Sequence, residues 1–163
     1  MITTATTALW FLPAVIPISL YVAYSDLSKM IIPNKAVYAL VAAFAVLGLL
    51  ALPFPDYLWR WSHLVVVLVI GIAMNAARLL GAGDAKFSAA AAPFIALGDW
   101  TIVLSLFTVF VLVSVIGHRI AKATPLRNLA PDWKSWSQGK RFPMGLPLAA
   151  TLTGYLVLAV IRG

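Results

Sequence analysis

Gly81-Ala82-Gly83-Asp84-Ala85-Lys86 lies between two strongly apolar runs. Its glycines make a turn, and its aspartate opens the run that follows. The chain has only five acidic residues, Asp26, Asp56, Asp84, Asp99 and Asp132, and no Glu. A carboxylate at the start of an apolar helix is therefore a feature to be explained. The surrounding runs decide the fold, because they make this turn one of a series of loops between membrane helices.

Composition supports that reading. Of 163 residues, 63% are hydrophobic and 10% charged. Soluble domains carry about 45–50% apolar and about 25% charged residues, so this chain could not clothe a soluble globule. The class expected is all-α: a polytopic membrane protein in one domain, residues 1–163. With no Cys there are no disulfides, thiolate metal sites or Cys nucleophiles. His63 and His118 are too few and too far apart for a metal centre, and no cofactor is predicted. Met1 to Ala8 has no Lys or Arg, whereas a cleavable signal needs a positive n-region. The first run is read as a retained helix.

Six helices are predicted, over about residues 7–24, 34–52, 62–80, 84–97, 101–117 and 143–161. The apolar runs are bounded by turn signals: Pro33 after the first, with Asn34 as N-cap of the second, then Pro53-Phe54-Pro55-Asp56, Gly81 to Gly83, and Gly98-Asp99. The first helix, roughly 27 Å long at about 1.5 Å per residue, suits a core of about 30 Å. Trp59 and Trp61 fall where an interfacial aromatic belt would lie.

Alternating the loops puts ten of the twelve basic residues on one side: Lys29, Lys35, Arg78, Lys86, Arg119, Lys122, Arg127, Lys134, Lys140 and Arg141. Arg60 and Arg162 are on the other. Lys and Arg collect on the cytoplasmic side, which puts both termini outside. The net charge of +7 is thus a topology signal, with contacts to anionic lipid expected and no nucleic-acid role.

In this topology Asp26 and Asp84, 58 residues apart in sequence, share the cytoplasmic face. Asp56 and Asp99 are expected as solvated residues of the outer turns. Two facing carboxylates do not both ionise easily; one keeps a proton while the other serves as a base. Such a pair can activate water against a carbonyl without metal or covalent intermediate. Helix polarity predicts Asp84, at a helix start, as the base and Asp26, near a helix end, as the acid. Gly81 and Gly83 permit close approach of a substrate backbone. Lys86 either snorkels to headgroups or faces the site. Arg78 is read as an anchor, Asn75 as bonding across the bundle, and Trp133 with Trp136 as an interfacial segment. The run Ser88-Ala89-Ala90-Ala91-Ala92 offers small residues for helix packing.

These residues resemble a known family. Gly81-Ala82-Gly83-Asp84-Ala85-Lys86 is similar to the GxGDxK motif of type IV prepilin peptidases, which are intramembrane aspartic proteases. Asp26 followed after five residues by Ile32-Pro33-Asn34 resembles the family's first motif. Phe142-Pro143-Met144-Gly145-Leu146-Pro147 resembles the segment opening a late helix, with Pro143 and Gly145 as its matching positions. The resemblance implies removal of short basic leaders from pilin-like precursors at the cytoplasmic face of the plasma membrane, with Asp26 and Asp84 as the catalytic pair. The implied partner is a prepilin, its transmembrane helix and leader. Many members also N-methylate the new terminus and carry a Cys-bearing region between the first two helices. This chain has no such region, so the resemblance is to the compact kind of Flp-type (tight adherence) pilus systems or of archaeal preflagellin peptidases, without methyltransferase activity. The alternatives are a small proton-coupled transporter built on two membrane carboxylates and a non-catalytic pilus assembly subunit.

Overall fold

A computed structural model describes residues 1–139 and 141–163; Lys140, one of the basic residues assigned to the fifth loop, lies outside the described residues. The chain forms six α-helices, α1 (Ala5–Lys29), α2 (Asn34–Ala51), α3 (Phe54–Ala76), α4 (Ala82–Ala91), α5 (Trp100–Ala123) and α6 (Gly145–Arg162), joined by turns and short 3-10 segments, with no strand among the described residues. All but α4 are long and apolar enough to cross a membrane.

The helix ends follow local chemistry. The Thr4 hydroxyl accepts from the Thr7 N–H and caps α1. The helix runs past the predicted end at residue 24, so that Asp26 sits within its last turn, and closes where Met30 turns left-handed at a φ of 57°. At the start of α2 the cap position is Pro33, with Asn34 already helical and making no cap bond. Helix α3 begins earlier than the predicted residue 62. Pro53 and Pro55 fall where helical N–H groups have no partner to lose, and Asp56 suits the first turn. It ends at Ala76 rather than residue 80, because Arg78 takes a φ of 60°. The Asn75 amide donates to the Leu80 carbonyl at 2.8 Å, tying its own turn rather than reaching across the bundle.

Helix α4 differs most from expectation. It starts at Ala82, two residues before Asp84, and stops at Ala91 instead of residue 97. Pro93, which has no N–H, ends it. The chain then continues through 3-10 turns at Ala92–Phe94 and Leu97–Asp99. The segment nonetheless traverses the bundle. At one end Gly83 lies against Ile32; at the other the Asp99 side chain holds the N–H groups of Ile2 and Thr3. Helix α5 continues to Ala123, beyond the predicted residue 117.

α1 and α6 pack against each other more extensively than any other pair, with α2 on α1, α4 on α3 and α5 on α6. The core holds Phe11, Val15, Val22, Leu40, Phe44, Phe87, Phe94, Leu152, Tyr155 and Leu156. Phe11, Phe44 and Phe94 form a mutual cluster with centroids 4.8–6.0 Å apart. In lipid such helices associate through close packing rather than hydrophobic burial, and each aromatic pair adds about 0.5–1.5 kcal/mol. The outer faces are apolar: Val65, Val69, Ile70, Val109, Leu112 and Val113 are all exposed, an arrangement suited to lipid and not to water.

The bundle has two distinct ends. Asp26, Ile32, Asn34, Gly83, Lys86 and Gly145 are neighbours at one. The other holds both chain ends: Thr3 against Tyr155 and Asp99, and Gly163 against Ala5. Trp133 and Trp136, expected to lie in the interface, fold back on the protein. Trp136 is buried and stacks on His118, and Trp133 meets Tyr24 edge-on.

Candidate active site

At the first end a cavity of about 790 Å³ opens between the ends of α1, α3, α4 and α6. Asp26 and Asp84 both line it. So do Ile32, Pro33, Asn34, Gly81, Gly83 and Lys86, together with Arg78, Arg141, Phe142 and Met144. Three stretches far apart in sequence thus contribute to one wall. Pro143 is buried beside the cavity without lining it. Met30 and Arg78, the two described non-glycine residues with positive φ, both border it; such backbone occurs where a turn must be forced tight.

Asp26 is 6% exposed and projects from the last turn of α1 toward α6. Its Oδ2 accepts the Gly145 N–H at 2.6 Å. Gly145 is the first residue of α6, so this N–H is one that the helix leaves free. A Cβ on Gly145 would stand 2.9 Å from Asp26 Oδ2 and 3.0 Å from its Cβ; the close approach requires glycine. Asp26 is therefore bound to the N-terminus of α6 as well as lying at the C-terminus of α1. Helix polarity consequently does not separate the two aspartates, and the expected split into Asp84 base and Asp26 acid loses its basis.

Asp84 is the third residue of α4 and partly exposed. Gly81, at the cap position, is its counterpart to Gly145: an added Cβ would meet Asp84 Oδ2 at 2.6 Å. Gly83 is fitted against Ile32, whose Cβ would lie 3.3 Å from a new methyl. That contact joins the turn to the Ile32-Pro33-Asn34 stretch. The Lys86 ammonium reaches Asn34 Oδ1 at 3.4 Å, an exposed contact across the same seam. Of the run after it, Ala89, Ala90, Ala91 and Ala92 are all buried in the bundle, Ala91 and Ala92 at the walls of apolar cavities. Among the described residues no cluster of His, Cys, Asp and Glu could hold a metal ion.

The other end carries polar chemistry that sequence reasoning missed. Asp99, expected as a solvated turn residue, is 1% exposed. It accepts from the N–H groups of Ile2 and Thr3 and from the Tyr155 hydroxyl at 2.8 Å. Tyr155 in turn accepts from the Ala96 N–H. Arg60, assigned to the outer side, is 7% exposed and donates to the carbonyls of Pro93 and Phe94. His63 bonds the Ile95 carbonyl at 3.2 Å. These side chains satisfy the backbone that Pro93 frees, which is how irregular chain is tolerated inside a membrane bundle. The available signal was Arg60 itself, a cation within an apolar helix facing a proline-broken one. Asp56 is exposed, as expected.

A family profile described as the type IV leader peptidase family matches residues 14–120. That stretch includes both Asp26 with Ile32-Pro33-Asn34 and the turn from Gly81 to Lys86, and stops before Gly145. No curated protein and no solved structure matches the chain. Only Met30–Pro33 separates α1 from α2, which leaves no room there for an inserted region. With two thirds of its length matched, from α1 through most of α5, this multi-pass membrane chain belongs to the type IV leader peptidase family.

Proposed function

We propose that the chain is an intramembrane aspartic endopeptidase that removes the leader of Flp-like type IV prepilins. Residues 1–163 act as one unit, with Asp26 and Asp84 as the catalytic pair. The observation that carries this reading is that the two aspartates, 58 residues apart, line one cavity together with the residues flanking each of them. The cavity end bears the basic loops, which favours the cytoplasmic side for the site and the outside for both termini.

The chemistry follows from the pair. One ionised carboxylate takes a proton from water while the other, protonated, donates its proton to the scissile carbonyl oxygen. The hydroxyl adds to the carbonyl carbon, giving a tetrahedral diol. The C–N bond then breaks, the nitrogen leaves as the amine with a proton from the dyad, and the new carboxyl group departs. Asp84 lies in the first turn of α4 and Asp26 accepts from the first N–H of α6, so helix polarity singles out neither as the acid, and the titration belongs to the pair. Asp84, the more exposed of the two, meets water and the incoming peptide first.

The test is co-expression with a candidate prepilin and measurement of its gel mobility. The wild-type chain is expected to shorten it, and Asp26→Asn and Asp84→Asn are each expected to leave it full-length. Processing that persists in either variant removes that aspartate from the mechanism. A chain that processes no prepilin in any form would return the question to a transporter or assembly subunit.

A further inference from the structure

The bundle is not closed between α3 and α5. α5 rests on α6 and α3 on α4, and none of the residues of α5 is buried. The cleft between them is floored by α4 and the turns after it. Two apolar cavities follow one another along this cleft, of about 370 and 490 Å³. They share Val67 on α3, Ile95 on the floor and Val103 on α5. The first of them also shares Leu80 and Met144 with the Asp26–Asp84 cavity. The two apolar cavities thus run along the cleft and abut the aspartate cavity at Leu80 and Met144, and the cleft opens sideways where Val66 and Leu104 are exposed.

The groove runs along the helix axes. Its α6 wall, Met144 to Leu152, and its α3 wall beyond, Trp59 to Val67, each extend for about 12 Å at about 1.5 Å per residue. Its floor presents Ser88, Ala91 and Ala92, small residues over which a backbone can approach closely. One polar atom is unpartnered. The Nδ1 of His63 faces the Ile95 carbonyl, which can only accept, so Nδ1 carries the hydrogen. The His63 Nε2 is shielded and has no partner, so the ring is a polar group left incompletely satisfied in the groove wall.

We propose that this groove seats the transmembrane helix of the substrate, packed lengthwise against α3, α4 and α5. The chain continuing from that helix then enters the Asp26–Asp84 cavity. This rests on the peptidase reading above. The shared wall with the aspartate cavity selects the occupant: a lipid chain or a second copy has no need to end beside the carboxylates, whereas a substrate helix must.

The chain has no Cys, so single cysteines report cleanly. The experiment places Val103→Cys, or Val113→Cys on the exposed face of α5, in the Asp84→Asn background, with a prepilin carrying one Cys in its membrane helix, and oxidises the membranes. In parallel, cleavage is measured for Val103→Trp and Val113→Trp with both aspartates intact. The groove predicts a disulfide to prepilin from position 103 and none from 113. It also predicts at least a tenfold loss of cleavage for Val103→Trp beside a wild-type rate for Val113→Trp. A crosslink from 103 only to another copy of the chain, no crosslink at all, or equal cleavage by the two Trp variants would overturn the groove while wild-type cleavage keeps the peptidase reading. Absence of wild-type cleavage would overturn both.

Discussion

Two groups of buried polar side chains stand at opposite ends of this apolar bundle, and their difference separates structure from chemistry. At the far end Asp99 binds two backbone N–H groups and the Tyr155 hydroxyl, and Arg60 spans two carbonyls. The chain closes over Asp99 completely, and no described cavity is lined by it. At the near end Asp26 takes one N–H, from Gly145, and Asp84 lies against Gly81, while both carboxylates face a cavity of about 790 Å³. A carboxylate whose acceptor sites are filled by its own chain holds the fold. One with sites left open toward a cavity is available to a water or a peptide.

Substitutions at the two ends are expected to separate these roles. The largest effect on stability is expected at the closed end. Asp99→Ala strips partners from three donors, and buried unsatisfied groups cost about 1–3 kcal/mol each. A loss of about 3 kcal/mol is expected in thermal unfolding in detergent, whereas Asp84→Asn is expected to change stability by less than about 1 kcal/mol. An equal loss in both would make the near site structural too. Arg60→Met comes next, at about 2 kcal/mol, because the Pro93 and Phe94 carbonyls lose their donor.

Gly145→Ala inverts the pattern. The new methyl meets Asp26 at 2.9–3.0 Å, so it must displace either the carboxylate or the start of α6. The expected outcome is at least a tenfold fall in cleavage rate with a stability loss of about 1–2 kcal/mol, the range for mild overpacking. Unchanged cleavage would show that the Gly145 bond to Asp26 does not position the carboxylate. The smallest effect belongs to Lys86→Met. Its contact with Asn34 is long and exposed, so stability is expected to move by less than about 0.5 kcal/mol.

Much of the near end was legible in the sequence because membrane burial makes charge rare. With five acids in the chain, the placement of Asp26 and Asp84 at one face followed from loop alternation alone. Helix existence was equally clear, since apolar runs and prolines mark it. What escaped was set by tertiary contacts. Nothing local announces that Asp26 finds the free N–H of Gly145, 119 residues away, and that one bond removes the argument from helix polarity. The same blindness made Asp99 a turn residue, because its partners Ile2, Thr3 and Tyr155 come from the two ends of the chain. The end of α4 was misplaced because Pro93 breaks it at a cost that Arg60 and His63 offset from another helix.

If the open carboxylates act and the closed one does not, aspartate-to-asparagine variants at the two ends must differ in cleavage. The decisive quantity is the cleavage rate of a membrane-anchored prepilin by Asp26→Asn, Asp84→Asn and Asp99→Asn, each compared with the wild-type chain at equal folded protein. No detectable product is expected from the first two, and cleavage within about tenfold of wild type from the third. Product from Asp26→Asn or Asp84→Asn, or its loss from folded Asp99→Asn alone, would contradict that division of roles.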